Sequence, residues 1–139
     1  MTKFPKFHRT ILFRWLPVII WMGLIFLFSN QSSLPALPKS WLDLLAKKSA
    51  HATAYGILFL LWMNALRGTS PRSHRTILLA LMLTFVYAIS DEWHQTFVAG
   101  RHGQLLDVAI DMSGAFIAGG WLQKIGYPPE TRFNEEKNQ

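Results

Sequence analysis

Three short stretches of this 139-residue chain hold the side chains able to do acid–base or anion chemistry. Lys48, His51 and Tyr55 recur at i, i+3 and i+7, which places them on one face of a helix. Asp91, Glu92, His94 and Gln95 fall within five residues, with Tyr87 one helical turn before Asp91. Asp107 and Asp111 lie one turn apart, Gly114 and Ala118 continue their face, and Arg101 sits between the two acidic stretches. A histidine near a carboxylate can transfer protons, with His51 or His94 as carrier and Glu92, Asp107 or Asp111 as orienting group or base. Lys48 and Arg101 are suited to holding an anion. Imidazoles and carboxylates also suit divalent metals. Their spacing here matches no recognised metal motif, so neither a metal nor a cofactor is expected. With no cysteine in the chain, a thiol nucleophile, a disulfide scaffold and a Cys-based zinc site are excluded.

The elements that must position these groups are long and apolar. Half of the residues are hydrophobic and only 16% are charged, a composition incompatible with disorder. Four stretches read as membrane helices: about Ile11 to Phe28, Ser49 to Leu66, Thr76 to Ser90 and Leu105 to Ile125. The first resembles a signal peptide in having basic residues ahead of an apolar run. No small-x-small cleavage site follows Phe28 and three more spans come after it, so it reads as an uncleaved span. The expected fold is all-α, a single polytopic membrane domain with a four-helix core over about residues 11–125 and a polar, frayed tail over 126–139. Spans 2, 3 and 4 should be in mutual contact. Span 1 should be peripheral, because its only ionisable residue is Arg14 at one end.

Fourteen Lys and Arg against eight Asp and Glu give a net charge of +6. Ten of the basic residues flank the start of span 1, the connection between spans 2 and 3, and the end of span 4. Only Lys39, Lys47, Lys48 and Arg101 fall on the opposite side. By the positive-inside rule both termini are expected in the cytoplasm of a multi-pass cell-membrane protein. The basic composition is then a topology signal, and nucleic acid is not an expected partner. Span 2 would enter from outside, span 3 would end there and span 4 would start there, so three helices place ionisable groups at one depth of the outer leaflet.

The connections are less regular. Gly68 to Pro71 reads as a tight turn. In the loop after span 1, Ser40-Trp41-Leu42-Asp43 has capping-box-like spacing, and two readings stand: a short interfacial helix anchored by Trp41, or an irregular loop. Individual polar residues also have plain explanations. Lys48 alone is a snorkelling lysine, Tyr55 and Tyr87 can be packing or interface residues, and Asp91 and Glu92 can lie solvated beyond the third span. Asp111 resists such an account. It lies inside span 4, where an ionised carboxylate costs several kcal/mol unless paired, protonated or wet, and His51, Lys48 and Arg101 are its available partners. For the whole cluster the alternative to function is a buried ion-pair network that fixes helix packing. Gly114, Ala115, Ala118, Gly119 and Gly120 supply the small-xxx-small spacing that lets helices approach closely.

The segment Ser90-Asp91-Glu92-Trp93-His94-Gln95-Thr96-Phe97-Val98-Ala99-Gly100-Arg101 resembles the S-D-E-x-H-Q-x-F-V-x-G-R signature of VanZ-like membrane proteins. Asp107, Asp111 and Gly114 are similar to that family's D-x-x-x-D/N-x-x-G element, and Lys48, His51 and Tyr55 to its D-K-x-x-H-x-x-x-Y element. Ser29 and Gln31 are similar to a polar S-x-Q after its first span. The likeness covers roughly residues 15 to 123. It departs at Lys47, where the family often has Asp, and at Ala99, where Pro is common.

The resemblance implies a protein of the cell envelope, and the family takes its name from a component associated with low-level resistance to the glycopeptide teicoplanin. It implies no settled activity. Two function classes follow from the residues. One is an enzyme at the outer leaflet acting on an amphiphile with an anionic head, such as a membrane lipid or a cell-wall intermediate. There Asp111, Glu92, His94, His51 and Asp107 would be the catalytic set, and Lys48, Arg101, Tyr55, Asp91 and Gln95 would bind substrate. The other is an accessory protein that recognises a head group or stabilises a partner without turnover. No Ser-His-Asp order or phosphatase signature decides between them. A proton-coupled transporter is disfavoured, because four spans leave little room for alternating access.

Overall fold

The computed structural model describes residues 6–31, 40–66, 74–101 and 103–125, with side chains from residue 12 onward in the first stretch and 41 onward in the second. It is all-helical over these: α1 (Lys6–Ser29), α2 (Ser40–Leu66), α3 (His74–Gln95) and α4 (Leu105–Lys124). The Gly68-to-Pro71 turn and the tail over 126–139 lie outside the described residues. At about 1.5 Å per residue the helices are roughly 30–40 Å long, enough for a hydrocarbon layer of about 30 Å. Stretches of α1, α3 and α4 are long and apolar enough to cross a membrane.

Large apolar side chains point outward from α1, α3 and α4, among them Phe13, Ile19, Leu27, Leu78, Val86, Phe116 and Ile117. Polar ones point inward: Ser29, Thr84, Asp91, Glu92, Gln95 and Asp111 are all buried. A soluble bundle would invert this arrangement, which suits a solvent of lipid chains. The helix with the largest buried face is α2. Its Tyr55, Leu58, Phe59, Trp62, Met63 and Leu66 recur at i, i+3, i+4, i+7 spacing and form the core with Val18 and Ile25 of α1, Ala80 and Ala88 of α3, and Met112 and Ala115 of α4.

Contacts between helices run in step and fix the directions. Along α2 and α4, Lys48 meets Asp107, His51 meets Asp111, Ala52 meets Gly114 and Phe59 meets Gly119, so these two neighbours are parallel. Against α2, α1 runs the other way: Trp15 packs edge-on against Trp62, and Trp21 Nε1 donates to the Ala54 carbonyl at 2.9 Å. Helix α3 runs in the same direction as α1, Tyr87 meeting Met22 and Asp91 meeting Ser29, and so is also reversed against α2. Directions thus alternate along the chain, and the start of α1 and the end of α4 lie at one end of the bundle.

Two boundaries differ from the sequence expectation. Helix α3 does not stop at Ser90 but continues to Gln95, so Asp91 and Glu92 are buried helix residues rather than solvated loop. Ser29, Tyr55, Gln95 and the Gln104 amide donate to their carboxylates, which lets the helix continue past them. Helix α2 begins at Ser40, nine residues before the expected start of span 2, and runs unbroken to Leu66. The expected choice between a separate interfacial helix and an irregular loop is resolved by neither: Trp41, Leu44 and Leu45 are exposed on the first turns of α2 itself.

Gly114 sets the α2–α4 distance. A Cβ built there would stand 1.7 Å from the Ala52 carbonyl oxygen, a backbone atom that cannot rotate away. Gly56 answers from α2, its own Cβ position lying 3.0 Å from the Gly114 carbonyl oxygen. Gly114→Ala is therefore expected to destabilise the detergent-solubilised protein by at least the about 1–3 kcal/mol typical of overpacking. Gly120→Ala, with nothing within 4 Å of the new methyl, should melt with the parent protein. Equal melting temperatures for both variants would mean that the two helices are not in backbone contact.

Candidate functional site

Parallel packing of α2 and α4 brings the first half of α2 beside the first turns of α4, and α3 delivers its last turns to the same end. Lys48 and Asp107 form a direct ion pair, each side chain 30% exposed. One turn deeper, His51 Nδ1 lies 3.4 Å from Asp111 Oδ1, beyond a good hydrogen bond but within ion-pair range. Asp111 is fully buried, and neither of its oxygens has a hydrogen-bond partner among the described residues. Of the three partners expected for it, His51 is the one the structure supplies. Lys48 is taken by Asp107, and Arg101 by neutral oxygens.

Asp91 is the hub of α3. Its Oδ2 accepts from Ser29 Oγ at 2.7 Å, Tyr55 OH at 3.2 Å and Gln95 Nε2 at 3.1 Å, joining three helices on one atom. Its Oδ1 is buried without a hydrogen-bond partner among the described residues. Glu92 Oε2 accepts from the backbone amide of Gln104 at 2.9 Å, and its Oε1 accepts from Gln95 Nε2 at 3.2 Å. The connection from α3 to α4 is pressed onto the end of α3, since a Cβ on Gly103 would stand 2.2 Å from the Glu92 carbonyl oxygen. Successive turns after Gln95, with Phe97 and Val98 amides donating to the carbonyls of His94 and Gln95, fold the chain back. They bring the Arg101 guanidinium over the cluster, where Nη1 donates to Gln95 Oε1 at 3.2 Å, Nε to the Gln31 carbonyl at 3.0 Å and Nη2 to the Phe28 carbonyl at 3.2 Å.

Lys48, His51, Tyr55, Asp91, Glu92, Gln95, Arg101, Asp107 and Asp111 thus occupy one end of the bundle. His94 is turned elsewhere: its ring packs on Phe26 with centroids 4.5 Å apart, and its Nε2 is 3.4 Å from Asn30 Oδ1. Sequence reasoning left Ser29 out of the site residues, although it is buried and bonded to Asp91, and it had no signal for the Gln104 amide or the carbonyls of Phe28 and Gln31. A serine at the end of the first apolar run was the one available hint. Span 1 was expected to be peripheral, and its outer face is indeed exposed, but its last turn closes the site.

Beside the cluster runs a groove of about 870 Å³ between α1 and α2. Its walls are Trp21, Leu24, Ile25 and Phe28 on one side and Ala50, Ala54 and Ile57 on the other. At its polar end it reaches Ser29, His51, Tyr55 and Arg101, with Lys47 and Asp43 at the margin, themselves paired at 2.7 Å. Such a shape can accept an alkyl or isoprenoid chain along the helices and present its head to a histidine, a tyrosine and a guanidinium.

A family model described as VanZ/LLP1 matches residues 13–125, while no curated protein and no solved structure matches the chain. The matched stretch includes every residue of the cluster, and its length is most of the chain. On that ground the protein belongs to the VanZ/LLP1 family.

Proposed function

We propose that this is a four-span protein of the cell envelope with both termini in the cytoplasm, and that its polar end is an outer-leaflet site for the anionic head of an amphiphile. The observation that carries the reading is the groove: an apolar trough that ends on Arg101, His51, Tyr55 and Ser29 is built for a molecule with a greasy chain and a charged head. Helix α2 serves as the fourth span. Its Lys48, His51 and Tyr55 meet α4 and α3, which keeps these polar groups off the lipid-facing side. A membrane lipid phosphate and a lipid-linked cell-wall intermediate share the chemistry the site recognises. Sensitivity to teicoplanin is the cellular readout that family membership suggests.

Arg101 contributes a planar fork of donors suited to phosphate, and its present bonds to uncharged oxygens leave its positive charge uncancelled. In the catalytic version of the site, His51 exchanges a proton with the head group, Asp111 holds the imidazole, and Asp91, Glu92 and Tyr55 position it. In the retaining version the same groups bind without turnover. Lipid co-purified in mild detergent separates the two. Arg101→Ala is expected to lose at least several-fold of a phosphate-bearing lipid seen by mass spectrometry of the parent protein. His51→Ala should lose the same lipid if the site only binds, and enrich it if turnover is blocked. An identical lipid complement in all three preparations would refute the head-group reading.

A second reading has its own observation: every helix supplies a partner to the cluster, so the network can exist to hold the bundle together. Asp111→Asn distinguishes the two. Under the functional reading the variant accumulates normally, keeps its stability within about 1 kcal/mol and changes its lipid complement in the same direction as His51→Ala. Under the structural reading, loss of His51's counter-charge costs about 3–5 kcal/mol and the protein fails to accumulate. We expect the first outcome.

Orientation is tested separately. Gln104 and His74 are exposed at opposite ends of the bundle. In intact cells an impermeant thiol reagent should label Gln104→Cys and leave His74→Cys untouched. The reverse pattern would move the cluster to the inner leaflet.

A further inference from the structure

Charge at the polar end does not balance. Four carboxylates, Asp91, Glu92, Asp107 and Asp111, face Lys48, Arg101 and a histidine. Lys48 is committed to Asp107 and Arg101 to neutral oxygens. Within this set, a ring nitrogen of His51, an oxygen of Asp91 and an oxygen of Glu92 all lie within 4.8 Å of one another. Three buried oxygens point to a missing partner: Asp91 Oδ1 and both oxygens of Asp111 have no hydrogen bond among the described residues, in residues 3% and 0% exposed. Buried carboxylate oxygens in a bilayer are not left bare without cause.

We propose that His51, Asp91 and Glu92 hold a divalent transition-metal cation, with Asp111 as a positioning residue behind His51. An ion with ligands at about 2.1 Å keeps those ligand atoms roughly 3–4 Å apart, so the three groups need close by only about 1 Å. One imidazole with two carboxylates suits manganese or zinc better than magnesium, which favours an all-oxygen shell. Asp111 beside Nδ1 keeps the ring proton there and leaves Nε2 with the lone pair a cation takes, the usual arrangement behind a metal-bound histidine. Tyr55, Ser29 and Gln95 hold Asp91 by its other oxygen, which orients Oδ1 without consuming it. The ligands come from two different helices, which is why no spacing along the chain announces them. The inference rests on the head-group reading of this site and deepens it: a cation here would add a positive centre for a phosphate oxygen beside Arg101.

The test is equilibrium binding of Mn²⁺ to the intact, detergent-purified chain after chelator treatment, followed by loss of the free-ion electron paramagnetic resonance signal. The expected result is one ion per chain, displaced by Zn²⁺ and not by equimolar Mg²⁺. His51→Gln and Glu92→Gln should each weaken binding at least tenfold. Asp111→Asn, acting through His51, should weaken it by about 10–100-fold. His74→Gln, at the opposite end of the bundle from the ligand set, should bind as the parent does. Thermal melting of each apo variant supplies the second measurement: Mn²⁺ should raise the melting temperature of the parent and of His74→Gln, but not of His51→Gln. No bound Mn²⁺ in a parent protein that still carries its phosphate lipid overturns the cation alone. Site-specific Mn²⁺ binding without any retained lipid leaves the cation standing and overturns the head-group reading. Equal affinity in all variants means adventitious binding and refutes the proposal.

Discussion

Backbone contact between α2 and α4 at Ala52 and Gly114 governs the polar end of this protein. Because the two helices run in the same direction, a single close approach fixes a whole series of pairs on one side of it. His51 is one residue before Ala52 and Asp111 three before Gly114; Lys48 and Asp107 follow one turn further. A slip of one turn, about 5.4 Å, would undo both pairings together, leaving Asp111 beside Lys48 in one direction or Tyr55 in the other. Parallel neighbours cannot be joined by a short turn, so α3 must lie between them in sequence, and this is what carries Asp91 and Glu92 to the same end. The topology and the chemistry of the site therefore follow from one small-residue contact.

Burial on this scale is tolerated because almost every polar group is answered by another helix. Asp91 collects hydrogen bonds from α1, α2 and its own helix on a single oxygen, and Glu92 is held by the amide that opens α4. Arg101 spreads its donors over an amide side chain and the carbonyls of Phe28 and Gln31, at and just beyond the end of α1. The opposite end of the bundle is built differently. From Leu58 onward α2 buries only apolar surface apart from the Trp62 indole, against Val18, Ala80 and Ala115. The polar half, by contrast, holds carboxylate oxygens that are not all satisfied among the described residues.

Much of this was legible in the residues. The i, i+3, i+7 spacing of Lys48, His51 and Tyr55 gave one face of α2, and the isolated Asp111 in an apolar run marked α4 as the helix that needs a partner. Windowed apolarity misplaced the ends of α2 and α3 because it treats a charged residue as leaving the membrane, whereas Asp91 and Glu92 stay helical once neighbours bond them. Ser29 was hidden for the opposite reason: a single hydroxyl at the end of an apolar helix carries no periodic signal. The Gln104 amide and the carbonyls of Phe28 and Gln31 are backbone groups, present at every position, and only the folded chain selects them. The groove was equally invisible, since it depends on where α1 fails to touch α2.

That failure to touch has a physical origin. Against α2 and α3, α1 is held by Trp21 to the Ala54 carbonyl, by Tyr87 to the Met22 carbonyl at 2.6 Å, and by Ser29 to Asp91, while its outer face offers only apolar side chains. No glycine of α1 meets a neighbour as Gly114 does; Gly23 has nothing within 4 Å of its Cβ position. In lipid, apolar surfaces gain little by meeting one another rather than acyl chains, so close packing needs either small residues or polar ties. Helix α1 has the ties at a few points and lacks the small residues, and the space that remains beside α2 is the groove. A greasy chain occupying it would replace contacts that lipid already makes. For the amphiphile we propose, discrimination must then come from the head group, at the one end where α1, α2, α3 and Arg101 meet.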